Sequence, residues 1–346
     1  MSNTHEEDFS EERIQGMFFG FWISKVLFTA IELGIFDELS KGSSSSEVLA
    51  YKLRLHPSAL PRLLNALVAV DLLVFDGIRY SNSKPTQRFL VTDSPDYLGG
   101  HTEHLSHLQW RLWQFLPDAI RENSPRVSQV FGSGFDMMQN VYADLPTIRS
   151  FARGMHNLSL LAAKEIVEAF DFNNYRCLMD VGGGSGALAI AATQRHNELN
   201  GIVFELPQVC LVADHYIQSH NLGDRIKTIS GDFFETDSLP NVADVISLGW
   251  VLHDWSDKQC DIILRNCFKA LEPNGAILVC EKLLDEERTG PLQATLLDLQ
   301  TLVSTGGQER PSSVYSDMLE RIGFVNISVQ VLRGNRDLII AQKPIG

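Results

Sequence analysis

The chain has 346 residues, which predicts one large or two ordinary domains. Its 44% hydrophobic and 21% charged residues are those of a globular protein. The net charge of −14 excludes a broad basic surface and argues against nucleic acid as a partner.

Residues 1–14 are acidic and polar and do not read as a secretory signal. The five cysteines, Cys177, Cys210, Cys260, Cys267 and Cys280, form no CxxC pair. A reduced, cytoplasmic protein with no zinc site is expected. Residues 1–12 read as a flexible tail. Residues 13–40 read as a helix whose apolar positions cover more than one face, Met17, Phe18, Trp22, Val26, Leu27, Ala30, Ile31, Leu33 and Phe36 among them. The stretch 17–36 is apolar enough to raise a membrane span, but Lys25 and Glu32 lie inside it, so no membrane is expected. A helix apolar nearly all round must be buried on several sides, which points to a partner subunit.

The serines at 43–46 supply an N-cap for a helix over 47–53, and His56-Pro57-Ser58 opens another over 59–70. The runs 73–75 and 78–80 flank Asp76-Gly77, a hairpin signal. Helix, turn, helix and hairpin make a winged-helix pattern. The second helix has only Arg62 as a cation, so residues 13–100 read as a dimerisation domain rather than a DNA reader. Residues 96–170 read as helical, with 101–170 a connector lining an acceptor pocket. His101, His104 and His107 crowd Trp110, Trp113 and Phe115, and an aromatic lining or plain core is preferred to a metal site. Phe151, Met155 and Leu158 lie on the helix that leads into the next strand and can wall a ligand site.

From 176 onward strands alternate with helices, which predicts a parallel sheet covered on both faces. Strands are expected over 178–181, 201–205, 226–230, 243–251 and 276–280. The helix 257–271 should stop at Pro273-Asn274-Gly275. Two antiparallel strands near 324–332 and 337–342 end the chain, joined at Gly334-Asn335. In such sheets ligands sit at the carboxyl ends of the strands.

The first of these strands runs into Gly182-Gly183-Gly184-Ser185-Gly186 and then a helix. Glycines there let the backbone approach a ligand, and the helix N-terminus offers free N–H groups. Glu205 ends the next strand, where a ribose-hydroxyl acceptor sits in dinucleotide folds. Asp232 can accept from an adenine amino group, Phe233 can stack on the ring, and Trp255 is a second flat surface. Cations are scarce at these strand ends, which argues against a pyrophosphate and for another adenosine ligand. His253 follows the fourth strand and is the candidate base, with Glu281 and Glu309 as orienters. Asp254 is expected on the other side of an extended chain from His253, binding cofactor or capping the helix that follows.

Residues 17–343 resemble the small-molecule O-methyltransferase family, which includes plant caffeate-type and animal acetylserotonin O-methyltransferases. The likeness rests on DVGGGSG (180–186), FELP (204–207), GDFF (231–234), LHDWSD (252–257), PNG (273–275) and GGQER (306–310), in that order. The acetylserotonin branch looks most similar, through LLDEERTGPL (283–292) and GQER (307–310).

The resemblance implies a Rossmann-like class I methyltransferase domain over 171–346 behind the winged-helix dimerisation domain. It implies S-adenosyl-L-methionine as cofactor, S-adenosyl-L-homocysteine as product, and a homodimer through the N-terminal helices. By motif position His253 is the base flanked by Glu281 and Glu309, with no metal. Gly182, Gly184, Glu205, Asp232, Phe233 and Trp255 line the cofactor site, and Tyr142 and Ser159 fall where family members also touch it. Phe151, Met155, Trp250, Gln300 and Ser304 face the acceptor. Acetylserotonin enzymes carry Arg in place of Trp250, and Asn and Gln in place of Gln300 and Ser304. A different acceptor is therefore expected, a planar phenolic, indolic or enolic hydroxyl. The alternative is a family member that uses the bound cofactor without methyl transfer, as a decarboxylase, hydroxylase or pericyclase.

Overall fold

The computed structural model describes residues 10–102, 104–133 and 145–345, with the side chains of 145–154 left out. The chain divides into two compact units, Met1–Thr102 and Glu103–Gly346.

In the first unit the helix Glu11–Glu32 begins inside the stretch expected to be tail. It does not run on to residue 40. Gly34 takes a left-handed conformation, φ 69°, and a second helix, Ile35–Ser40, starts from it. That geometry suits a residue without a Cβ. Helices Ser46–Leu53 and Leu60–Ala69 follow, the former capped by the Ser45 hydroxyl, which accepts from Val48 N at 3.4 Å. Strands β1 (Leu73–Phe75) and β2 (Tyr80–Asn82) pair with Phe75 opposite Tyr80. The connecting turn therefore spans four residues, not the two expected at Asp76-Gly77. Asp76 Oδ1 accepts from Ile78 N and Arg79 N, and this side-chain turn fixes the longer loop. Ile35, Phe36, Leu49, Leu64 and Leu67 form the core. On the long helix Phe18 remains 67% and Trp22 55% exposed within the single chain.

The second unit opens with short helices, Trp110–Trp113, Leu116–Glu122 and Val127–Phe131, and then the long helix Leu145–Ala169. It is built on a seven-stranded sheet: β3 (Cys177–Val181), β4 (Asn200–Glu205), β5 (Ile226–Ser230), β6 (Ala243–Gly249), β7 (Leu271–Cys280), β8 (Val325–Gln330) and β9 (Leu338–Gln342). The spatial order is β5-β4-β3-β6-β7-β9-β8. Pairing is parallel from β5 to β7 and antiparallel around β9. The central strands β3, β6 and β7 are buried on both faces along most of their length, so they read as apolar runs. Met179, Ile246 and Ile277 pack with Ile263 and Leu264 of the helix Asp257–Ala270. Leu178, Val245 and Leu278 pack with Ile166 and Leu188 on the other side.

The helix Asp257–Ala270 stops before Pro273-Asn274-Gly275, but those residues do not separate it from the strand. They bulge out of β7, whose pairing with β6 skips from Leu271 to Ala276. Strand order reverses between β3 and β6, the place where open α/β sheets hold ligands beyond their carboxyl ends.

Candidate active site

At the end of β3 the chain turns through Gly182 (φ 67°), Gly184 (φ 57°) and Gly186 (φ 75°). Gly186 is the N-cap of the helix Ala187–Arg195. A Cβ on Gly182 would meet Val251 Cγ2 at 2.8 Å, whereas Gly184 faces open space. The turn is held from below, where Gly182 N donates to Phe204 O at 2.9 Å. From the side, His156 Nδ1 pairs with Ser185 Oγ at 2.8 Å, while burial pushes the His156 pKa down to about 4 and keeps the ring neutral.

Glu205 ends β4 beside this turn. One of its oxygens accepts from Leu206 N at 2.6 Å, and burial raises its pKa to about 7 against the backbone N–H groups of Leu206 and Gly184. Asp232, after β5, gives one oxygen to Phe234 N at 2.8 Å and keeps the other. Phe233 and Phe234 meet Trp255 edge-on, with centroids 6.2 and 4.8 Å away. Open backbone at Gly184, a carboxylate at each of the next two strand ends and an aromatic wall suit an adenosine moiety.

His253 lies in a single turn of 3-10 helix, Leu252–Asp254, after β6. Its Nδ1 is 2.6 Å from Glu309 Oε1 and 3.9 Å from Glu281 Oε2. Glu281 Oε1 accepts from Val251 N at 3.0 Å and Leu252 N at 2.8 Å, so it holds the turn as well. Asp254 departs from expectation. The tight turn replaces an extended chain, bringing its Oδ2 to 3.8 Å from His253 Nε2, and Ser256 caps the next helix instead. Burial opposes charge on His253, but Glu281, Asp254 and Glu309 outweigh it and push its pKa up to about 10. Burial likewise raises Glu281, against the pull of His253. The cluster thus holds a proton more tightly than a lone imidazole.

Among the described residues His253, Glu281 and Glu309 are also the one group of His, Cys, Asp or Glu near enough to share an ion, with ligand atoms within 4.8 Å of one another. His101, His104 and His107 form no such group.

Trp250 sits between β6 and the His253 turn in a left-handed conformation, φ 56°. Its ring is near-parallel to His253, with centroids 6.3 Å apart. Gln300 and Ser304 lie on the helix Leu292–Ser304 but turn to other partners. Gln300 Oε1 accepts from Trp113 Nε1 at 2.5 Å, and the Ser304 hydroxyl donates to Gln300 O at 2.7 Å. The Gln300 side chain therefore ties its helix to Trp110–Trp113, while the Ser304 bond stays within its own helix. Met155 is half-buried on the helix Leu145–Ala169, and Ser159, on the same helix, accepts from Arg336 Nη2 at 2.9 Å. Phe151 is on that helix too, but its side chain is outside the described set, and Tyr142 lies outside the described residues altogether.

A family profile of the O-methyltransferase domain matches residues 113–325, and one of the O-methyltransferase dimerisation domain matches 16–92. The chain belongs to the O-methyltransferase family. The 3-hydroxy-5-methyl-1-naphthoate 3-O-methyltransferase of Streptomyces sahachiroi is 33% identical over 304 residues, 88% of this chain and 86% of that one. The acetylserotonin O-methyltransferase of Gallus gallus is 33% identical over 331 residues, 94% and 95% of the two chains. Human N-acetylserotonin methyltransferase, solved in complex with S-adenosylmethionine, superimposes with TM-score 0.91 at 31% identity, covering 99% of this chain and 100% of that one.

This chain is therefore an S-adenosylmethionine-dependent O-methyltransferase with a helical dimerisation domain and a Rossmann-like catalytic domain. The glycine turn and the acids after β4 and β5 fit its cofactor. Four further residues of this methyltransferase position the site. A Cβ on Gly307 would lie 2.0 Å from His253 O, so the 306–310 loop can press against the turn only as glycine. Gln308 N donates to His253 O at 2.9 Å. Arg310, fully buried, donates to Leu252 O, Gln308 O, Trp255 O and Asp257. Asp298 Oδ1 accepts from Glu309 N at 2.8 Å. The paired glycines before Gln308-Glu309-Arg310 were the one sequence signal of this close approach.

Proposed function

We propose that the methyltransferase acts on a hydroxyl of a small planar phenolic, indolic or enolic metabolite, with His253 as general base. The observation that carries the reading is the 2.6 Å contact of His253 Nδ1 with Glu309, which leaves Nε2 for the acceptor. Glu309 fixes the ring and its tautomer, and Glu281 holds the turn and adds negative charge beneath it. The hydroxyl proton passes to Nε2 as its oxygen gains the methyl group. S-adenosylmethionine, when bound, supplies that methyl as an electrophile and leaves as S-adenosylhomocysteine. Gly182, Gly184, Glu205, Asp232, Phe233 and Trp255 would hold its adenosine.

The named relatives support the substrate class, since one is named for a hydroxynaphthoate and another for acetylserotonin. The acceptor here differs at Trp250, whose indole supplies a flat face where a planar ring can stack. Met155 and Trp250 wall the acceptor. Glu281 and Glu309 each accept through one oxygen, from Val251 and Leu252 and from His253, and the reaction as proposed routes no step through a metal.

The protein works as a homodimer joined through its N-terminal helices, in the reducing cytoplasm where its five free thiols persist. The test is a panel of phenols, indoles and enols, N-acetylserotonin included, incubated with methyl-labelled S-adenosylmethionine. Label transfer to an acceptor oxygen with equimolar S-adenosylhomocysteine supports the reading. Turnover of an acceptor without S-adenosylhomocysteine contradicts it and favours a reaction without methyl transfer.

A further inference from the structure

Two fully buried arginines stand near the sheet's ligand edge, and only one is explained by packing. Arg310 has an acceptor for each of its nitrogens, among them Asp257, Leu252 O, Gln308 O and Trp255 O. Arg336 is 6% exposed and has one. Its Nη2 donates to Ser159 Oγ at 2.9 Å, its Nε is buried without a partner, and it forms no ion pair among the described residues. A guanidinium has five N–H donors and keeps its charge, so a buried one with a single neutral hydrogen-bond acceptor leaves most of its donors unpaired.

The position of Arg336 is fixed. It precedes β9, which runs antiparallel to β7, so it arrives at the carboxyl ends of the parallel strands. The next residue, Asp337, donates its N–H to Glu281 O at 2.7 Å and pairs with Lys282 and Leu283 N. The guanidinium lies 4.6 Å over the Trp250 ring. Its Nη1 is 2.9 Å from where a Cβ on Gly249 would be, so the bare glycine at the end of β6 makes the room it occupies. Trp250 Nε1 is a second buried donor without a partner at the same strand end. Trp250 is also held with positive φ, a conformation that persists where its surroundings over-determine it.

Orphaned donors on a buried guanidinium and on the neighbouring indole call for a ligand that only accepts, and the guanidinium favours one that is negatively charged. A carboxylate meets that description, and a guanidinium receives it in a two-pronged geometry.

We propose that Arg336, with Ser159 and Trp250, is an internal carboxylate receptor, and that its ligand is the aminoacyl carboxylate of S-adenosylmethionine. The inference rests on the cofactor edge proposed above. The methyl acceptor is the other possible source of a carboxylate. The cofactor is favoured because Gly249, where Arg336 lodges, ends β6, the strand that pairs with β3 and its glycine turn. Arg336 also grips Ser159 on the helix that leads into β3. Arg336 thus replaces a side chain at Gly249 by reaching across from β9.

The test is calorimetric binding to the full-length protein of S-adenosylhomocysteine and of S-adenosyl-3-thiopropylamine, which lacks only the carboxylate. Wild type should bind the first more tightly by roughly tenfold to a hundredfold, the weight of a charge-assisted pair. Arg336→Gln should erase that difference while leaving the affinity for the amine unchanged, and Arg336→Lys should restore part of it. Equal loss of both ligands, with a lower unfolding temperature, would make Arg336 a packing residue and overturn the proposal. Unchanged S-adenosylhomocysteine binding, with KM raised only for acceptors that carry a carboxylate, would overturn the cofactor assignment and give the receptor to the acceptor. Failure of wild type to bind either compound would overturn the cofactor edge itself, and this inference with it.

Discussion

His253 Nδ1 and Glu309 Oε1 meet at 2.6 Å although 56 residues separate them in the chain. The contact makes the histidine directional. With Nδ1–H donating to the carboxylate, the neutral ring has its lone pair on Nε2. Removing the carboxylate charge has a signed consequence. Glu309 is one of three acids that raise His253 above its ordinary range, so Glu309→Gln lowers that pKa. The base must be unprotonated to act. The ascending limb of kcat/KM against pH therefore moves to lower pH, by about one unit or more, while the plateau falls roughly tenfold to a hundredfold as the base weakens. A pH–rate profile of wild type and variant checks both effects. An unmoved limb would separate Glu309 from the base.

Gly307 is the point where the loop carrying Glu309 touches the His253 turn. Gly307→Ala would put a methyl 2.0 Å from His253 O. The loop must withdraw, taking Glu309 with it. Overpacking of this kind costs about 1–3 kcal/mol. The expected result is a lower unfolding temperature together with a pH limb shifted as in Glu309→Gln. A variant with normal stability and a normal profile would show that the loop is not pressed against the turn.

Glu205 gives cofactor binding a pH dependence of its own. Burial holds its pKa at about 7, above the usual carboxylate range. Above that pH it is an anion that would accept from ribose hydroxyls in the proposed site, and below it one oxygen carries a proton. S-adenosylhomocysteine affinity should therefore fall as pH drops through 7, by at most about tenfold per unit, the weight of one proton. Glu205→Gln should bind more weakly at pH 8 and lose this dependence. Calorimetry across pH 5.5–8.5 tests it, and an equally steep slope in the variant would assign the proton elsewhere.

The exposed face of the helix Glu11–Glu32 carries Phe18, Phe19, Phe21 and Trp22. The same helix passes the length and composition test for a membrane span. In a homodimer this face is covered. Phe18→Asp with Trp22→Asp should turn the dimer into a monomer by sedimentation, without loss of the catalytic domain's near-ultraviolet dichroism. A dimer that survives the double change would place the interface elsewhere.

Much of this molecule was legible in the chain before its coordinates. Apolar runs, the glycine turn and the alternation of strands with helices set the α/β domain, because each is a local pattern with a local cause. The acids at 205, 232, 281 and 309 and His253 stood out through their positions at strand ends and in motifs. What escaped was decided by contacts between distant segments. The break at Gly34 depends on how the next helix packs. The four-residue hairpin turn depends on the Asp76 carboxylate. Asp254 lies near His253 only because the chain coils into a 3-10 turn there. Gln300 and Ser304 were read as facing an acceptor, yet Trp113 and the helix's own carbonyls occupy them. Arg336 carried no motif at all, and its meaning comes from the bare Gly249 and the Trp250 ring across two strands.

The central claim is that His253 removes the acceptor's proton. The most direct measurement is single-turnover formation of S-adenosylhomocysteine by His253→Ala and wild type, with an acceptor found in the panel and with S-adenosylhomocysteine affinity measured in parallel. The account predicts cofactor affinity within about threefold of wild type and a rate lower by roughly 10²–10⁴-fold, the usual weight of a general base. Wild-type turnover in the variant would contradict it.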